Sequence, residues 1–348
     1  MKFFHMIPKD GIGGVEHAAR SLVVKNDLDI TTVFLCGNLL TNKQHITSIS
    51  PDCKLNSFGF YFNGIRFLCK QQPDILLCSL WRSSIVGLTY LLLSKIGFKP
   101  KVKLITFLHS SKFGHFFEKI ISKAAIKFSH EVWCDSQATK LSIVEFVPEH
   151  KSHVISFFVK LDSFYSESNL ERHNNFVFWG RLAKVKRVDK AIILFHKLSA
   201  TNENSIFYIY GPDCGELQNL QNLVSELNLN GKVLFMGPKE PNKYSKEILT
   251  AKFFFNTSDH EGMAMSVVEA MQLGLVPIVT PVGEIANYCH HNHNSIYYDN
   301  DAYNLVVNAI SNRDVYDSLK LNAINCWADT KDYSQDFNDN VIRVFGNV

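Results

Sequence analysis

The chain has 348 residues, 46% of them hydrophobic, which is enough for about two ordinary domains with a core each. It contains no run of 18 or more apolar residues, and the N-terminal Met1–Ile7 stretch is too short for a secretory signal core, so a membrane-spanning helix is excluded and a cytoplasmic protein is expected. The net charge of +3 is unevenly shared: residues 1–160 hold 20 Lys and Arg against 11 Asp and Glu, and residues 161–348 hold 16 against 22, so the first part is suited to an anionic partner.

In chain order, apolar runs at 2–7, 30–36, 74–80, 102–108 and 131–134 predict buried strands, with helical patterns at 15–24, 84–95 and 137–146 between them. Periodicity lapses in the polar stretch 161–175, which predicts a linker. Strands are then expected at 176–179, 206–210, 233–236, 253–256 and 276–279, alternating with helices near 188–198, 216–227, 244–251, 264–273 and 302–310. Such alternation is the mark of parallel, doubly wound sheets. The expected fold is α/β with two Rossmann-like domains facing across a cleft, at 1–160 and 176–330, and a last helix within 331–348 packing back toward the first domain.

In such folds ligands bind at the carboxyl ends of the strands. The first strand is followed by Gly11-Ile12-Gly13-Gly14-Val15-Glu16, a turn that lets backbone amides approach an anion closely and that equally suits a plain strand-to-helix turn. The strand at 176–179 runs into Gly180-Arg181-Leu182-Ala183-Lys184-Val185-Lys186, where Arg181 and Lys186 can converge on a diphosphate. The strand at 253–256 runs into Thr257-Ser258-Asp259-His260-Glu261-Gly262, ahead of a helix whose free amides also favour an anion. With amides and cations assigned to phosphates, the carboxylates of Glu261 and Glu269 are left to accept from sugar and ribose hydroxyls.

Gly13-Gly14, His109, Arg181 with Lys186, and Glu261 with Glu269 together resemble the pattern of the retaining GT-B glycosyltransferases of family 4, in particular bacterial enzymes of O-antigen, lipopolysaccharide or capsule synthesis. The likeness spans nearly the whole chain and is most specific after residue 176. Lys184, Arg187 and Met263-Ala264-Met265 depart from the family's usual residues. The resemblance implies transfer of a sugar from a nucleotide diphosphate sugar, with UDP favoured, to a saccharide acceptor that is lipid-linked. It implies a catalytic set of Arg181, Lys186, Glu261 and His109, donor-binding positions Gly13, Gly14, Gly262, Met263, Ala264 and Glu269, an acceptor-binding first domain, and no metal or other cofactor. A sugar-nucleotide epimerase and a silent nucleotide-sugar-binding subunit are the alternatives on this fold.

Trp81 and Arg82, after the strand at 74–80, are candidates for the acceptor side. The run Cys289-His290-His291-Asn292-His293 has metal-ligand residue types, but its spacing suits a polar surface turn better than a site. Eight cysteines without a C-x-x-C pair predict free thiols. Nothing matches a nucleic-acid-reading motif, so no nucleic-acid partner is expected. The segment 112–128 has Phe113, Phe116, Phe117, Ile120, Ile121, Ala124 and Phe128 on one helical stripe, flanked by Lys119, Lys123 and Lys127. That stripe suits either packing on the sheet or lying on an anionic membrane surface, which would make the protein peripheral on the inner face.

Overall fold

The computed structural model describes all residues except 12, 26, 27, 111, 162–169, 240–242, 347 and 348. The chain divides into two compact units, Met1–Val159 with Lys331–Val348, and Lys160–Thr330.

The first unit is built on a parallel sheet of β1 (Lys2–Lys9), β2 (Asp29–Cys36), β3 (Ile46–Ser50), β4 (Ile75–Ser79), β5 (Lys103–Leu108), β6 (Glu131–Cys134) and β7 (Ser152–Val154), in the order β3-β2-β1-β4-β5-β6-β7. Its helices are α1 (Gly14–Ser21), α2 (Phe58–Gln71), α3 (Leu80–Lys95), α4 (Phe116–Phe128) and α5 (Gln137–Leu141). All five residues of β4 are buried, as a strand covered on both faces requires. The C-terminal helix Tyr333–Gly346 belongs to this unit: Phe337 packs edge-on against Phe3 and Trp133, and Arg343 donates to both carboxylate oxygens of Glu131 at 2.9 and 2.7 Å. Burial disfavours the Glu131 carboxylate, but Arg343 and the Trp133 indole outweigh it and hold its pKa below the ordinary range.

The second unit carries β8 (His173–Trp179), β9 (Phe207–Tyr210), β10 (Val233–Gly237), β11 (Ala251–Asn256), β12 (Val276–Val279) and β13 (Ile296–Tyr297), parallel in the order β10-β9-β8-β11-β12-β13. Its helices are α6 (Val188–Thr201), α7 (Leu217–Glu226), α8 (Lys246–Thr250), α9 (Met265–Gln272), α10 (Ile285–Tyr288), α11 (Ala302–Ser311) and α12 (Arg313–Asn325). Phe176 stacks on Phe253 and Phe255 with ring centroids 5.0 and 5.3 Å apart, tying β8 to β11 directly below the loops of interest. Each such buried ring contributes about 1.5–3 kcal/mol.

In both sheets the first strand lies in the interior and the order reverses beside it, at β1 between β2 and β4 and at β8 between β9 and β11. A crevice opens at such a reversal, outside the carboxyl ends of the strands. The glycine turn follows β1, and the Arg181–Lys186 segment follows β8.

The structure departs from the sequence expectation in several places. β3 and α2 form between residues 46 and 71, where the mixture of serines, glycines and aromatics hides both periods. Helix α5 ends at Leu141, short of the predicted 146. Residues 173–175 of the expected linker begin β8, and Arg172 is pinned to the carbonyls of Ala251 and Leu273; residues 162–169 of that linker lie outside the described residues.

Candidate active site

The loop after β8 meets the loop after β11. The Val185 carbonyl accepts from Asp259 N at 2.9 Å, and the Arg187 carbonyl accepts from the Thr257 hydroxyl at 2.7 Å. Arg187 sits in the left-handed region at φ 46°, and its guanidinium donates to Asp189 and Asp259, with Lys190 also on Asp259 at 3.0 Å. These exposed pairs are worth little singly, but as a network they fix the loop that carries Lys186.

Lys186 donates to both oxygens of Glu261, at 2.6 and 2.9 Å. The Glu261 side chain is only 8% exposed, and its Oε1 also accepts from Ser258 Oγ at 2.6 Å and Asn256 Nδ2 at 3.1 Å. Burial alone would raise its pKa; the Lys186 ammonium, with Ser258 and Asn256, more than offsets this and holds the carboxyl below its ordinary range. Glu261 is therefore an anion at neutral pH, with a cation fixed beside it.

Past Glu261 the chain turns into α9. Ala264 adopts a left-handed conformation at φ 55° as the N-cap, a strained geometry for a residue with a Cβ. The Gly262 carbonyl accepts from Glu284 N at 3.2 Å and the Met263 carbonyl from the Tyr288 hydroxyl at 2.8 Å, which fixes the peptides leading into the helix. Gly283, at φ 60°, lies so close that a Cβ there would overlap the Glu261 carbonyl oxygen. Only glycine fits this contact.

Glu269 lies within α9, buried, and its Oε2 accepts from Trp179 Nε1 at 2.9 Å. Lys239 lies close by, with its ammonium 4.3 Å from the Tyr244 ring centroid and 6.0 Å from that of Trp179. Burial lowers the Lys239 pKa and the Glu269 carboxylate partly restores it. Each glutamate thus takes one partner from the short stretch Trp179 to Lys186. Arg181, in the same stretch, is exposed, and its guanidinium makes no ion pair among the described residues.

The remaining nominated residues belong to the first unit. Gly13 is the N-cap of α1, and its carbonyl accepts from His17 N at 2.9 Å; Gly14 opens the helix. Arg20 braces this turn by pairing with Asp10 and donating to the Gly11 carbonyl. His109 follows β5, and its Nε2 lies 3.0 Å from Ser79 Oγ, which is 2.7 Å from the Nε2 of buried His5. One hydroxyl is thus shared by two imidazoles. Burial depresses both rings to a pKa of about 3, with His5 adding to the effect at His109, so both are neutral at physiological pH. The Nδ1 atoms of both rings are buried without a partner. A cavity of about 60 Å³ borders His109, Trp81, Ser84, Lys112 and Glu118. Arg82 lies 4.4 Å over the Trp81 ring and donates to Asn56, and His115 meets Trp81 edge-on.

Sequence reasoning missed Asn256, Ser258, Trp179, Lys239, Gly283, His5 and Ser79. The strand-end positions of the first three were the available signal. Among the described residues no group of three His, Cys, Asp or Glu side chains could hold a metal ion; His290, His291 and His293 lie on an exposed turn. The described cysteines are all free.

Residues 162–313 match the family model described as "Glycosyl transferases group 1". That match falls entirely within the second unit, Lys160–Thr330. No curated protein sequence matches the chain. Solved structures do. HepE of Anabaena, crystallised with UDP and glucose, aligns over 100% of both chains at 15% identity and a TM-score of 0.80. Sucrose-phosphate synthase of Thermosynechococcus elongatus aligns over 100% of both at 12% and 0.78. The lipopolysaccharide outer core galactosyltransferase WaaB, in its apo form, covers 99% of this chain and 100% of its own at 18% and 0.68. At such identities the likeness establishes the fold, which is GT-B with two Rossmann-like domains. The Lys186–Glu261 pair, Trp179–Glu269 and the start of α9 all lie inside the matched residues.

Proposed function

We propose that the protein transfers a sugar, with retention of anomeric configuration, from a nucleotide diphosphate sugar to a saccharide acceptor. The observation that carries this reading is the fixed Lys186 ammonium beside buried Glu261, at the strand end that also bears the exposed Arg181. As the bond from the anomeric carbon to the diphosphate breaks, negative charge grows on the departing oxygen. Lys186, Arg181 and the backbone amides entering α9 are suited to stabilise that charge, the task a divalent metal performs in other transferases. The acceptor hydroxyl attacks from the leaving-group side, and its proton passes to the departing diphosphate oxygen. Glu261 keeps acceptor capacity for sugar hydroxyls and Glu269 for the ribose.

The UDP and UDP-glucose complexes of HepE support a UDP-sugar as donor. WaaB supports a role in surface polysaccharide synthesis. The acceptor is a lipid-linked saccharide taken up by the first unit, with Trp81 and Arg82 beside His109, and it is presented at an anionic membrane surface. No metal or other cofactor takes part. His109 acts on the donor sugar, which requires its Nε2 to leave Ser79.

The test is slow donor hydrolysis followed by NMR across a panel of UDP- and GDP-sugars in EDTA. Release of the α-anomer first from an α-linked donor supports retention without a metal. Initial release of the β-anomer, or a strict metal requirement, would overturn that part of the reading.

A further inference from the structure

We propose that one face of the first unit, made by α3, α4 and the turn after α5, docks on an anionic lipid bilayer by inserting phenylalanines that lysines cover in water. This deepens the lipid-linked acceptor reading and rests on it only for its purpose, since docking is measurable without turnover.

The sequence left two readings of the 112–128 stripe, and burial decides between them. Helix α4 packs inward through Ser122, Ala125 and Ile126. Its phenylalanines point out: Phe116 and Phe117 are each 70% exposed and Phe128 about half exposed, as is Ile120. Non-aromatic residues serve the core and the phenylalanine rings face solvent, the reverse of a helix whose aromatic stripe packs on a sheet. The exposed surface continues to Phe98 beyond α3, 73% exposed, and to Phe146 beyond α5, 53% exposed. Monomeric proteins seldom expose apolar surface on this scale without a use for it.

Lysines link these elements. Lys95 of α3 lies 5.2 Å from the Phe128 ring centroid, and Lys127 lies 5.8 Å from the same ring. Lys123 of α4 lies 4.6 Å from the Phe146 ring centroid. The ammonium groups shield the rings in solution and are long enough to swing to the phosphate level when the rings enter the hydrocarbon boundary. The carboxylate within α4, Glu118, accepts from Gly114 N at 2.8 Å, and with three lysines the helix keeps a net positive charge. Glu145 beside Phe146 is exposed and acidic, as is Glu149 after it. Charge of this sign matches anionic headgroups and opposes pairing with a second copy of the same face.

The experiment uses the full chain. Phe128→Trp serves as reporter, with vesicles of phosphatidylglycerol and phosphatidylcholine or of phosphatidylcholine alone. At low salt the reporter should pellet with anionic vesicles and shift its emission to the blue relative to the parent, and both effects should fade as salt rises. Lys119, Lys123 and Lys127 changed together to Gln should lower partition on the order of a hundredfold, at about fivefold per lysine. Phe116→Ser with Phe117→Ser should weaken binding at every salt concentration. All of these variants should retain UDP affinity. The proposal is overturned if the parent stays in solution with anionic vesicles at low salt, or if it pellets equally well in both sets of variants. A concentration-dependent dimer abolished by the phenylalanine changes, without vesicle binding, would assign the face to self-association. Vesicle docking without UDP binding would leave this inference standing and remove the catalytic reading.

Discussion

Lys186 Nζ lies 2.6 and 2.9 Å from the two carboxylate oxygens of Glu261, across 75 positions of sequence. The pair is buried on the glutamate side, so its two members cannot be judged by single substitutions alone. Lys186→Met strands an anion and should cost about 3–5 kcal/mol of stability. Adding Glu261→Gln removes the stranded charge and should restore most of that loss. Turnover should stay down by about a hundredfold or more in both variants, because the proposed reaction loses the cation assigned to its leaving group. Urea denaturation and initial rates separate the two effects; a double variant with recovered turnover would show that Lys186 serves only as a structural partner.

The same pair predicts a pH dependence. The folded pKa of Glu261 lies below its unfolded value, so its contribution is complete above the ordinary glutamate range and is lost as pH falls through the lower folded value. In Lys186→Met the chief opposing influence to burial is removed. Burial then dominates and the sign reverses: the variant should gain stability relative to the parent as acid protonates the stranded carboxylate, which denaturation between pH 3 and 6 would detect.

Arg181 offers a contrast. Its side chain is exposed, so Arg181→Ala should leave stability within about 0.5 kcal/mol of the parent. Turnover should still fall by about a hundredfold if the guanidinium meets the departing diphosphate. Unchanged rates at saturating donor would remove Arg181 from the mechanism.

The strand ends and the cations following β8 could be found in the sequence because local period and spacing define them. Glu261 stood out for the same reason, one turn from a predicted strand. Its partners Asn256 and Ser258 did not, since nothing local shows that three side chains converge on one oxygen. Trp179 looked like the apolar end of a strand, and its indole N–H acquires meaning only when α9 brings Glu269 to it across 90 positions. His5 and Ser79 were hidden alike, because their contact depends on β1 and β4 being neighbours in the sheet. The outward stripe of α4 was visible as a stripe, but its direction required knowing which side packs on α3.

Trp179→Phe tests the indole's role directly. The substitution keeps an aromatic ring beside Phe254 and Tyr244 while removing the donor to Glu269. The carboxylate, having lost the indole N–H, should orient the ribose less well, raising the donor KM about tenfold with a smaller change in kcat. Equal loss in both parameters would place the effect on the chemical step instead.

His5 predicts acid sensitivity of the first unit. Its folded pKa is depressed by burial to about 3 from an ordinary 6.5, so the unfolded chain takes up a proton that the native ring refuses. Its contribution is complete above pH 6.5 and falls by about 1.4 kcal/mol per pH unit as the solution is acidified toward 3. His5→Gln should flatten that slope by about one proton; an unchanged slope between pH 6 and 4 would contradict the assignment.

The central claim is that the second unit holds a nucleotide diphosphate between Arg181, Lys186 and the start of α9. Thermal denaturation of the full chain, in EDTA and with UDP, UDP-glucose and GDP in separate titrations, tests it most directly. The account predicts that UDP and UDP-glucose stabilise the parent, by about 2.7 kcal/mol at a hundred times the dissociation constant. It predicts a much weaker effect in Arg181→Ala, whose unliganded stability should match the parent. Absence of stabilisation by all three nucleotides, or equal stabilisation of parent and Arg181→Ala, would contradict it.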